Sequence, residues 1–165
     1  LFRPGYFAAF HGGVVLILTP LFFELLKQLG RRGRSPSQPL RLVWGLFFTA
    51  AAFAVLAAAC LRSAEKRVSA LWLFATYALL STGEVLHSAM GLSLVTRLSP
   101  QRLAGRLNGL WFAAVAGGNI AAGLLGLLWM RLPHHRYFAL IAALLLAAGL
   151  VLLSRAHALE RLLKT

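Results

Sequence analysis

Five apolar runs, each about as long as a membrane span and separated by short basic segments, leave this chain few folds to choose from. A helix of about 20 apolar residues crosses a hydrocarbon layer of about 30 Å, and it satisfies its own backbone groups where no water reaches them. The runs fall at about residues 6–29, 40–61, 69–95, 103–129 and 137–154. The chain of 165 residues is 59% hydrophobic, with mean hydropathy +0.76. A soluble domain is only about half apolar. The expectation is an all-α polytopic membrane protein with five transmembrane helices. Leu1 lies almost inside the first run, with no Met and no charged leader ahead of it, so we expect the N-terminal part to be missing.

The formal charge is +13, a value that elsewhere suggests nucleic acid. Here the basic residues sit between the spans, where membrane topology already places them, so no nucleic-acid partner is expected. Lys27, Arg31, Arg32, Arg34, Arg41, Arg97, Arg102, Arg106, Arg155, Arg161 and Lys164 share one side of the membrane, eleven in all. Arg3, Arg62, Lys66, Arg67, Arg131 and Arg136 make six on the other. The richer side is cytoplasmic by the positive-inside rule. Leu1 is then outside and Thr165 inside. Cys60 is the lone cysteine and forms no intramolecular disulfide.

The third run, Ser69 to Val95, carries one carboxylate, Glu84, near its middle. Such a group costs about 3 kcal/mol to insert and usually faces a bundle interior or a watery cavity. Tyr77, Ser81, Glu84, His87 or Ser88, and Gly91 follow at steps of three and four, which place them on one helical face. Elsewhere the first run holds His11, a Pro20 that should kink it, and a Glu24–Lys27 pair at interfacial spacing. The second run, rich in Ala and Phe, reads as structural and lipid-facing, and so does the fifth. Before the fourth run, Ser99 has the character of an N-cap and Pro100 of a first helical residue. That run aligns Asn108, Trp111, Phe112, Val115 and Asn119 on one face, where Trp111 is either an interfacial belt residue or, by its place about two turns inside the span, a cavity wall, the reading preferred here. Gly105, Gly109, Gly117, Gly118, Gly123 and Gly126 are read as a packing surface of small residues.

Gly83-Glu84, Ser88-Ala89-Met90-Gly91-Leu92-Ser93, Thr96-Arg97-Leu98-Ser99-Pro100, Gly109-Leu110-Trp111-Phe112 and Gly118-Asn119 follow one another in this order. The series resembles the C-terminal signature of the proton-dependent oligopeptide transporters, a branch of the major facilitator superfamily. In that family a Gly-Glu and a Ser-Pro-x-Gly-Leu-Ser run lie on the tenth helix, and a Gly-x-Trp-Phe opens the eleventh. Leu18-Thr19-Pro20-Leu21-Phe22 and the Gly-Arg-Arg loop are similar to the eighth helix and its exit. The resemblance implies that residues 1–165 are helices eight to twelve of a twelve-helix bundle whose N-terminal half is missing. It implies a glutamate, Glu84, that holds a peptide's α-amino group, a Ser88 that lines the same site, and a Trp111 that walls a side-chain pocket. Phe112 would shape that pocket, and His11 and Asn108 would add polar wall. The family's eighth helix carries Asn-Pro where this chain has His11-Gly12, and its Pro after the serine is Ala89 here. The family's first-helix Glu and Arg motif, fourth-helix Lys and seventh-helix Glu would all lie upstream of Leu1.

The function so implied is proton-coupled uptake of di- or tripeptides across the cell inner (plasma) membrane. The expected partners are short peptides, protons, the bilayer and the missing half of the same protein. The alternatives are a truncated, inactive remnant or a related transporter of another small solute, since a shared fold does not fix the substrate. No enzymatic role, cofactor or metal is expected. His87 and Ser88 are adjacent and diverge on a helix, and no Gly-x-Ser-Gly is present.

Overall fold

The computed structural model describes residues 4–31, 37–63, 69–98 and 102–163; the side chains of 4–9, 87–98 and 157–163 are among those outside the description. The described residues are helical and contain no strand. Helix α1 spans Pro4–Arg31, α2 Gln38–Ser63, α3 Leu71–Leu98, α4 Ala104–Gly126 and α5 His134–Leu163. At 28 residues, α1 and α3 are each about 42 Å long. Pro39–Ser63, Ala104–Met130 and His134–Ala156 are long and apolar enough to cross a membrane, and α1 and α3 carry shorter apolar stretches at Phe10–Leu25 and Leu71–Leu86.

The helices form because apolar side chains leave the backbone no partner but itself. Hydroxyls inside them are satisfied the same way. Thr19 donates to the Val15 carbonyl (2.6 Å), Thr76 to Trp72 (2.9 Å) and Thr82 to Ala78 (2.8 Å). Glu24 and Lys27 form the expected i,i+3 pair at 3.5 Å, with both side chains more than half exposed. The start of α4 departs from expectation. Its N-cap is Leu103, with no side-chain cap, and Ser99 and Pro100 lie outside the described residues. Below α4 the chain tightens into one 3₁₀ turn, Leu127–Met130, and Pro133 then accepts the first backbone bonds of α5, from Arg136 and Tyr137. Trp129 closes this corner, with its ring centroid 4.2 Å from His134 and 5.2 Å from Tyr137.

Helix α2 is the centre of the packing, lying between α3 and α5, while α1 and α4 each lean on α3. The expectation of a lipid-facing second helix is therefore corrected. Val43, Ala50 and Ala57 are buried along one side of α2, and Gly45, Ala52 and Ala59 along another. Such small side chains let neighbouring backbones come close, and close packing is what holds helices together where lipid is as apolar as they are. Gly83 of α3 shows how close. A Cβ there would strike the Thr49 hydroxyl and lie 2.9 Å from the Gly45 carbonyl oxygen and 3.1 Å from the Thr49 nitrogen. On the opposite side, a Cβ on Gly149 of α5 would lie 2.6 Å from the Phe47 ring.

Helix α4 behaves differently. It buries no residue, and around Gly105, Gly109, Gly117, Gly118, Gly123 and Gly126 a Cβ would meet nothing within 4 Å. The packing role expected of these glycines is not fulfilled by any described residue. Close approach is made instead at Gly83 and Gly149.

Candidate functional site

The stripe on α3 meets α1 at one residue, His11. Phe10 and Phe74 set the seam, their rings edge to face at 4.8 Å. One turn along α3 from Phe74, the Tyr77 ring lies 5.8 Å from the imidazole. His11 Nδ1 is 2.7 Å from Ser81 Oγ, and His11 Nε2 is 2.9 Å from Glu84 Oε2. Ser81 is fully buried, so its hydroxyl has little choice of partner, whereas Thr76 and Thr82 turn back onto their own helix.

This arrangement suits either charge state of the imidazole. A neutral ring protonated on Nε2 donates to Glu84 and accepts the Ser81 hydroxyl on Nδ1. An imidazolium donates at both nitrogens, to Ser81 Oγ and to the carboxylate. Glu84 is not shut in by this. Its side chain keeps 47% of its exposure and that of His11 27%. One carboxylate oxygen is held, and the group still reaches open space.

Of the residues read as site residues, the structure joins His11 and Glu84. Ser88 follows Glu84 by one turn of α3, but its side chain lies outside the described residues. Asn108 and Trp111 are half-buried on α4, and Phe112 is 61% exposed. Among the described residues no hydrogen bond or ring contact joins these three to the trio of His11, Ser81 and Glu84. Asn108 Oδ1 is buried and has no described partner. Ser81 was legible as a member of the stripe, but its role as the second anchor of His11 was not. That role requires knowing that α1 crosses α3 at this level.

A carboxylate held by a histidine in a seam between two membrane helices can receive a cation. Comparison with known proteins shows what kind of protein carries it. The POT family model matches residues 2–135, which is most of the chain. The chain belongs to the POT family. The peptide transporter YePEPT of Yersinia enterocolitica is 37% identical over 124 residues, which is 73% of this chain and 24% of that protein. Dipeptide and tripeptide permease A of Erwinia pyrifoliae is 37% identical over 135 residues, 81% of this chain and 27% of the permease. Among solved structures, a peptide transporter POT in complex with sulfate superposes with TM-score 0.87 at 29% identity, over 99% of this chain and 33% of that one. The chain thus spans about a quarter to a third of the length of these POT relatives. It is an integral membrane protein, all-helical over its described residues, and its relatives are transporters.

Proposed function

We propose that this chain supplies helices eight to twelve of a proton-coupled transporter that takes up di- and tripeptides. The five spans at about 6–29, 40–61, 69–95, 103–129 and 137–154 then lie in the cell inner membrane with the N-terminus outside and the C-terminus cytoplasmic, as the excess of basic residues on one side supports. The observation that carries this reading is the half-exposed Glu84 carboxylate at the α1–α3 seam, in a chain whose relatives include permeases of dipeptides and tripeptides. In a site of low dielectric a carboxylate attracts an ammonium far more strongly than it does in water. Glu84 receives the peptide's α-amino group. Ser88 lines the same site, Trp111 and Phe112 offer aromatic surface to varied side chains, and Asn108 and His11 supply hydrogen bonds. Sites of this kind form between the halves of a transporter, so residues of the other half complete this one.

The test is Glu84→Gln in the complete transporter. The amide keeps shape and hydrogen bonding but loses the charge. Uptake of labelled dipeptide into proteoliposomes under an inward proton gradient should fall at least about a hundredfold, the order expected when one partner of a desolvated charge pair is removed. Membrane insertion and yield should be unchanged. Uptake at the wild-type rate would overturn the assignment.

A further inference from the structure

We infer that the pocket between the end of α2 and the start of α5 holds the phosphate headgroup of an anionic phospholipid from the surrounding bilayer. This site is separate from the α1–α3 seam and does not depend on the peptide reading of Glu84.

A cavity of about 430 Å³ is lined by Cys60 and Ser63 from the last turn of α2 and by Pro133, His134 and His135 where α5 begins. Three apolar spans stop at its edge. Pro39–Ser63 ends there, Ala104–Met130 ends just before Pro133, and His134–Ala156 begins there. The cavity therefore lies where hydrocarbon gives way to headgroups. The aromatic side chains agree. Trp129 and Tyr137 pack together beside His134, and Trp72 lies under Arg62. Rings of this kind settle at the membrane–water interface.

The lining offers donors and holds no carboxylate. Each imidazole has at least one N–H to give, and the His134 ring is held 4.2 Å from that of Trp129. Ser63 Oγ donates to the Cys60 carbonyl at 2.9 Å, which leaves the histidines as the donors of the lining. Cys60, His134 and His135 do not gather as ligands for one metal ion. The cations stand at the rim. Arg131 and Arg136 are exposed and flank the lining in sequence. Arg62, between Cys60 and Ser63, keeps its guanidinium 5.5 Å from the Trp72 ring centroid. The chain has four carboxylates. Glu24 and Glu84 belong to α1 and to the middle of α3, and Glu160 to the far end of α5, about 39 Å from His134. Glu65 lies with Lys66 and Arg67 in the connection 64–68, outside the described residues.

Such a pocket fits an anion whose oxygens accept from imidazole and guanidinium N–H groups, as those of phosphate do. A lipid phosphate fits better than a free one because the rim is also apolar. Leu61, Leu127 and Met130 are largely exposed around it. They would lie against acyl chains, for which a free ion has no counterpart. Basic pockets between membrane helices take anionic headgroups on this principle.

The experiment uses the complete transporter in vesicles of phosphatidylcholine that carry a share of phosphatidylglycerol, with bromine on the acyl chains of one lipid or the other. Bromine quenches tryptophan at short range, and the Trp129 signal is the difference between wild type and Trp129→Phe. At Trp129, phosphatidylglycerol should be preferred over phosphatidylcholine about tenfold, the order expected of one or two cations near a headgroup. The preference should be lost in Arg131→Gln with Arg136→Gln, and in His134→Leu with His135→Leu. Arg31→Gln, at the opposite end of the bundle, should keep it. Equal quenching by the two brominated lipids in wild type overturns the inference, and that comparison needs no pocket variant to fold. A preference unchanged in both double variants overturns the placement in this pocket, and so does its loss in Arg31→Gln, which would make net charge the cause. Inorganic phosphate, matched in ionic strength with chloride, should leave the quenching as it is. If phosphate alone abolishes the preference, the pocket takes a free anion and the lipid reading falls.

Discussion

The contact between α2 and α3 at Gly83 is tight enough that one methyl group tests the whole packing. In Gly83→Ala the new Cβ would strike the Thr49 hydroxyl and lie 2.9 Å from the Gly45 carbonyl oxygen and 3.1 Å from the Thr49 nitrogen. Ordinary contact needs about 3.5 Å. Thr49 can turn its hydroxyl away only by giving up its bond to the Gly45 carbonyl, at 2.9 Å. The two backbone atoms cannot turn, so the helices must part by about half an ångström. Overpacking costs about 1–3 kcal/mol, and rigid backbone obstacles place this case in the upper half of that range. Alanine returns up to about 1 kcal/mol through helix propensity. The net expectation is a loss of about 1–2 kcal/mol, or about five- to thirtyfold in the folded-to-unfolded ratio.

The assay is denaturant unfolding of the complete transporter purified in detergent, run on wild type, Gly83→Ala, Thr49→Ala and the double variant. Thr49→Ala alone removes a hydroxyl bonded to its own helix and should cost less than about 1 kcal/mol. The double variant should recover about half of the Gly83→Ala loss, because one obstacle has gone and the Gly45 carbonyl remains. That recovery is an interaction term of the kind contacting residues show. If Gly83→Ala is as stable as wild type, the helices do not approach as described. If the two losses simply add, the penalty does not arise at Thr49.

Two further expectations concern the same seams. Gly149→Ala places its Cβ 2.6 Å from a Phe47 ring carbon, but a ring can swing where a carbonyl cannot. The cost should be about 1 kcal/mol, smaller than at Gly83 before the propensity gain, and Phe47→Leu in the same chain should remove it in the same unfolding assay. Ser81→Ala takes the buried hydroxyl from the part-exposed His11 Nδ1, and the loss of one such hydrogen bond costs about 0.5–1.5 kcal/mol. Stability should fall by that order, and the KM for dipeptide should rise several-fold as His11 loosens its hold on Glu84. An unchanged KM in Ser81→Ala would show that the serine does not position the pair.

What the sequence discloses here is what depends on near neighbours. The helices follow from apolar runs long enough to span, and the Glu24–Lys27 pair from a spacing of three. Glu84 stands out because a carboxylate in such a run demands a reason. Its partner does not stand out, since His11 lies on another helix and nothing local says which helix that is. The reading of α2 failed for a related reason. In lipid, a helix facing its neighbours and one facing hydrocarbon have the same apolar composition, so hydrophobicity does not tell them apart. Residue size does. On α2, Gly45, Ala52 and Ala59 recur every seven residues, as do Val43, Ala50 and Ala57 on another side, and all six are buried. A repeat of seven keeps a narrow row in register with a neighbouring helix. Two such rows on different sides of one helix require two neighbours, which α3 and α5 provide. The run of glycines on α4 has no such pairing among the described residues, where a Cβ on any of them would meet open space. A small residue thus marks a helix contact only when its row is matched by one across the seam, as Gly45 and Thr49 are matched by Gly83.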